Sequence, residues 1–129
     1  MKPSKLAKMH NASLQLKCRE TWILCIRLFP SLHGLKMPDC VFNSKLRTVA
    51  GYCMSEIDKI EFNPILFDAD ILAYDEIILH EFAHHVDFLI NGDCPQEFWH
   101  GSQWCDIMRK LGIKKPSQYH FLEEKDYYE

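Results

Sequence analysis

Residues 75–87 read Asp75-Glu76-Ile77-Ile78-Leu79-His80-Glu81-Phe82-Ala83-His84-His85-Val86-Asp87, and the five at the centre, 80–84, form an HExxH pattern. On a helix, residues four apart share a face with Cβ atoms about 5–6 Å apart, so two imidazoles there can grip one ion. Zinc about 2.1 Å from each ring nitrogen suits that spacing. Glu81 projects from the same turn, within reach of a polarised water without ligating the metal. A Lewis acid, a water and a base to take its proton are what a metallopeptidase needs.

A short motif carries a false-positive risk, here roughly 2% for a chain of this length. The surroundings reduce it. Ile71, Leu72, Ile77, Ile78, Leu79, Phe82, Val86, Phe88, Leu89 and Ile90 make the segment strongly apolar, with no Pro or Gly inside. Asp68 or Asp70 can cap its start and Asn91-Gly92 can end it, which places the motif mid-helix. The bland alternative is a buried helix with two incidental histidines.

A chain of 129 residues, 47% hydrophobic and 26% charged, reads as one globular domain over 1–129 with its core at about 12–122. No apolar run approaches the roughly 20 residues that span a bilayer, and no signal peptide follows the charged Met1-Lys2-Pro3-Ser4-Lys5 start. A cytoplasmic protein is expected. Cys18, Cys25, Cys40, Cys53, Cys94 and Cys105 contain no C-x-x-C, so they read as free thiols, Cys94 and Cys105 as small packing residues. Residues 1–50 carry nine Lys/Arg against two acids, a net of +7, and residues 51–129 carry six against sixteen, a net of −10. That basic first segment could meet DNA or another acidic partner; a solvated helix face is the plainer reading, because no stacking aromatics are interleaved with it.

Residues 1–10 read as a ragged basic lead-in. From Asn11 to Phe29, Leu14, Cys18, Trp22, Cys25, Ile26 and Phe29 form one helical stripe, which Pro30 stops. Breakers across 31–39 make a loop. Strands are expected at 40–43, 46–54 and 57–62, with Ser55-Glu56 turning between the last two. Asn63-Pro64 ends the sheet, and residues 65–70 lead into the HExxH helix. Beyond Gly92, a loop reaches His100-Gly101 and a short helix near 101–111 presents Trp104, Met108 and Leu111 on one face. The tail from 113 drapes over the core or is partly loose. The fold class is α+β, with a small three-stranded antiparallel or mixed sheet, an N-terminal helix, the HExxH helix and a following short helix.

A catalytic zinc needs a third protein ligand. The HExxHxxGxxH pattern fails, since Asp87 and Asn91 stand at its Gly and third His positions. Glu97 is early for a carboxylate ligand on a second helix. His100, sixteen residues after His84, remains. Here the pattern becomes recognisable. The HExxH, then His100-Gly101-Ser102-Gln103-Trp104 with Met108 and Leu111-Gly112, resembles the SprT-like family, which includes the Spartan proteases that digest DNA–protein crosslinks. Upstream, Leu46-Arg47-Thr48-Val49-Ala50-Gly51-Tyr52 and Ile60-Glu61-Phe62-Asn63-Pro64-Ile65-Leu66 are similar to that family's "R-T-A-G" and "I-x-x-N-P-x-L" strands. The resemblance implies a zincin-like metallopeptidase domain holding one Zn²⁺ through His80, His84 and His100, with Glu81 as catalytic base. Many bacterial members continue into a zinc ribbon whose cysteines these 129 residues do not contain.

The expected reaction is hydrolysis of a protein or peptide substrate, held as an added strand at a sheet edge near 46–54. Tyr52 or a tail tyrosine is a candidate for the developing oxyanion. The rival readings are a zinc-stabilised adaptor without catalysis and a nucleic-acid-binding module. His85 points about 100° away from His84 around the helix and reads as a surface or packing residue. His120, in a stretch similar to the family's "T-H-x-F", reads as structural or supporting, and His10 and His33 as exposed.

Overall fold

The computed structural model describes residues 1–116; Ile113, at the start of the tail, packs against the core, and the rest of that reading, with His120 and the tail tyrosines, falls on 117–129, outside the described residues. Helix α1 runs Pro3–Leu28. It begins far earlier than the sequence pattern suggested, so residues 3–10 are helical rather than ragged. Pro3 sits at the first helical position, where its missing N–H is no loss, and Lys5, Leu6, Ala7, Lys8 and Met9 are good helix formers. Leu6, Leu14, Cys18, Trp22 and Cys25 form its buried stripe. At the far end Phe29 N–H caps Cys25 O at 2.8 Å, and a 3₁₀ turn follows at Pro30–Leu32.

Three four-residue strands follow, β1 (Asp39–Phe42), β2 (Gly51–Met54) and β3 (Lys59–Phe62). Their order is β1-β3-β2, with β1 parallel and β2 antiparallel to β3. The sheet is therefore mixed, and β2 is an edge. Ile60 and Phe62 are fully buried while Lys59 and Glu61 are not, which settles the faces of β3. Residues 46–50, expected as strand, are not. The carbonyls of Val49 and Ala50 turn instead to Asn63, whose Nδ2 and backbone N–H donate to them at 3.1 and 2.9 Å.

The lead-in to the HExxH helix is itself a short helix, α2 (Pro64–Ala69). Asn63 caps it by accepting from Ile65 N–H at 2.9 Å, and Pro64 takes the first position. Asp70 breaks the two helices apart in extended conformation, then caps α3 (Ile71–Asn91) by accepting from Ala73 N–H at 2.9 Å. Asp68, the other candidate cap, pairs with His10 at 2.6 Å. Gly92, at φ 81°, closes α3 as the sequence suggested. Helix α4 (Ser102–Lys110) folds back beside α3, burying Trp104, Ile107 and Met108. One core joins α1, α3, α4 and the inner face of the sheet. Among the described residues no helix is long and apolar enough to cross a membrane.

Candidate metal centre

Helix α3 carries His80 and His84 one turn apart. His100 arrives from the turn just before α4. The three Nε2 atoms converge, with His80–His84 at 3.3 Å, His84–His100 at 3.1 Å and His80–His100 at 3.2 Å. A neutral imidazole has one N–H, and three nitrogens facing one another cannot all be satisfied by sharing protons. A cation between them resolves that. Tetrahedral nitrogen ligands about 2.0–2.1 Å from one ion lie about 3.3–3.4 Å apart, close to the separations found. The group fits a metal ion, and among the described residues no other set of His, Cys, Asp and Glu does. Glu97, the fallback ligand, is exposed on a 3₁₀ turn and stands outside the group.

Electrostatics favour the same state. Burial pushes the His84 imidazole down to about 3, with neighbouring His100 adding to the effect, and burial also lowers His100. Both rings are neutral at ordinary pH and present lone pairs. Trp104 walls the group. Its ring stacks on His84 at 5.6 Å and meets His80 and His100 edge-on at 4.9 and 4.8 Å. Its indole N–H donates to His80 O at 3.3 Å. The sequence marked Trp104 as a core residue and as part of the stretch that follows His100, without a role at the site; its place four residues after His100, on the face that turns back to α3, is the available signal.

Glu81 is fully buried, with Oε2 4.0 Å from His80 Nε2. Beside His84 opens a cleft of about 380 Å³ between β2 and the end of α3, reached by Tyr52, Phe88, Trp99 and the acids Glu56, Asp87 and Asp93. Ile57 and Phe98 stand exposed near this end of the molecule. Cys94, read as a packing residue, instead lines the cleft. Cys105 is half-buried, with its Sγ 3.7 Å from His100 O. All six cysteines are free thiols.

The remaining histidines separate cleanly. His85 is fully buried rather than on the surface; it packs on Trp22 at 6.4 Å and its Nε2 lies 3.3 Å from Asp58. Burial lowers its pKa and Asp58 opposes the shift. His10, expected to be exposed, is half-buried against Phe67 at 5.5 Å and bonded to Asp68. His33 is exposed.

An HExxH helix whose two imidazoles converge with a third from a following turn, on an α+β frame with an edge strand alongside, defines a protein built around a three-histidine group that could hold a metal ion. Comparison with known proteins makes the class specific: the SprT-like family matches residues 30–121, and the chain belongs to that family. "Protein SprT" of Vibrio parahaemolyticus serotype O3:K6 (strain RIMD 2210633) is 28% identical over 112 residues, covering 84% of this chain and 66% of that protein. The chain thus spans about two thirds of that relative's length. No solved structure matches it significantly.

Proposed function

We propose that this chain is a zinc-dependent metallopeptidase of the SprT-like type. The observation that carries the reading is the convergence of three histidine Nε2 atoms, 3.1–3.3 Å apart, beside a buried glutamate and an open cleft. His80, His84 and His100 would hold one zinc, and a site with three protein ligands leaves a position for chemistry, whereas a purely structural zinc is closed by a fourth. When bound, zinc supplies Lewis acidity to water and to a carbonyl. Glu81 accepts the proton of the attacking water on its carboxylate and returns it to the leaving amine. Sealed from bulk solvent, that carboxylate is in a setting where a proton is held and passed rather than lost. The free edge of β2 offers backbone groups to an extended substrate strand, and Tyr52 stands in the cleft to donate to a developing oxyanion. The acids Glu56, Asp87 and Asp93 favour a cationic side chain there.

Proteins bound to DNA are the substrates that the charge distribution favours, since Lys2, Lys5, Lys8, Arg19 and Arg27 are all exposed along α1. Such a contact would weaken steeply with salt. The test starts with metal content. Wild type should bind one zinc per chain and His100→Ala should lose it or hold it far more weakly. Glu81→Gln should keep zinc and lose cleavage of a labelled protein substrate. Full activity in Glu81→Gln would sink the mechanism.

A further inference from the structure

The edge strand lies against the buried glutamate so closely that no side chain fits between them. A Cβ on Gly51 would stand 2.9 Å from Glu81 Cγ, 3.2 Å from Cδ and 3.1 Å from Oε2. The nearest atom is Cγ, one bond from the root of the side chain. Glu81 could yield only by turning about χ1, and that rotation swings the whole carboxylate to another staggered position. Gly51 is therefore glycine for space.

The distance between strand and helix is held by a separate set of bonds. Ala50, fully buried, offers its carbonyl to the Tyr74 hydroxyl and to Asn63 N–H at 2.9 Å. Val49 O accepts from Asn63 Nδ2 at 3.1 Å. Tyr74 stands on α3 seven residues before Glu81, about 20° short of two full turns, so the two side chains leave nearly the same face. One helix thus carries both the glutamate and the hydroxyl that fastens the strand over it.

We propose that Gly51 and Tyr74 are positioning residues for Glu81: Tyr74 bolts the strand to α3, and the bare Gly51 backbone confines the glutamate to one rotamer. The proposal rests on the peptidase reading, in which Glu81 is the base. It also means that the strand offered to substrate is the one that sets the base, so the two cannot move independently.

The test uses the full chain as wild type, Gly51→Ala and Tyr74→Phe, and Gly51→Ala again in a Glu81→Ala background. Zinc affinity is read by competition with a chelating dye, kcat and KM on labelled casein, and thermal midpoints without zinc. Gly51→Ala should lower kcat at least tenfold with KM and zinc affinity within about twofold. It should lower Tm by several degrees in the wild-type background and not in Glu81→Ala, where the side chain it meets is gone and Ala is otherwise at least as good as Gly. An equal Tm loss in both backgrounds, or an unchanged kcat, would overturn the proposal. Should Gly51→Ala not fold, Tyr74→Phe decides: a three- to tenfold lower kcat at constant KM supports it, and an unchanged kcat overturns it. A wild type that binds zinc but cleaves nothing removes the peptidase reading, while the Tm coupling still judges the contact between Gly51 and Glu81.

Discussion

Replacing Trp104 by Phe leaves all three ligand nitrogens in place and removes only what lies behind them. The indole N–H to His80 O is lost, worth about 1 kcal/mol; that carbonyl lies inside α3 and keeps its helical partner. The smaller ring vacates about 40 Å³, and at roughly 24 cal/mol per Å³ the cavity costs about another 1 kcal/mol. Trp104 is 1% exposed, so solvent cannot fill the gap. The sum, about 2 kcal/mol, lowers the Tm of the metal-free chain by roughly 6–10 °C. Because the indole braces all three imidazoles, zinc affinity should also fall about tenfold, the lower end for loss of a supporting partner. Thermal melts of the metal-free and zinc-loaded chain, with dye competition for affinity, separate the two effects. A Tm within 2 °C of wild type together with unchanged affinity would refute the reasoning.

Acid should destabilise the metal-free protein. His84 sits near 3 in the folded chain through burial, with His100 adding to the effect, against about 6.5 unfolded. The unfolded state then binds more protons, so stability is full above about pH 6.5 and is lost as pH falls toward 3. At pH 5 the His84 share is about 2 kcal/mol, readable as a lower urea midpoint than at pH 7.5; equal midpoints would count against it. Asn63→Ala should cost about 2–4 kcal/mol in urea melts, because the side chain is fully buried and both caps α2 and holds Val49 O. Lys17→Met should change stability by less than about 1 kcal/mol, since its partner Asp75 is half-exposed and the pair is screened.

The HExxH helix was legible because its apolar run has no breaker before Asn91-Gly92, and α4 because Trp104, Met108 and Leu111 fall on one face. The start of α1 was not. Between Pro3 and Leu14 the helix buries only Leu6, too little to write a periodic pattern, and the contacts of His10 with Phe67 and Asp68 that help to hold those turns are long-range. Residues 46–50 look like strand, yet Val49 and Ala50 bond to Asn63 and Tyr74, partners 13–24 residues away that no local reading anticipates. The order β1-β3-β2 is likewise a matter of long-range pairing. His85 illustrates the limit at the site itself: helix geometry turns it away from His84, but whether that direction meets water or Trp22 depends on where α1 lies.

The three histidines occupy 21 consecutive residues, 80–100, whereas the strand that confines Glu81 comes from thirty residues upstream. Closing the loop between His84 and His100 costs about 0.6 kcal/mol less than closing the thirty residues between Gly51 and Glu81. The residues that would hold an ion thus belong to one helix–turn segment, and the strand that confines Glu81 to another. On the peptidase reading, metal occupancy and catalytic readiness then rest on different segments of the chain, and zinc content alone does not report whether Glu81 is aimed. Specific activity per bound metal, rather than metal per chain, would then measure how much of the protein has the strand docked over Glu81.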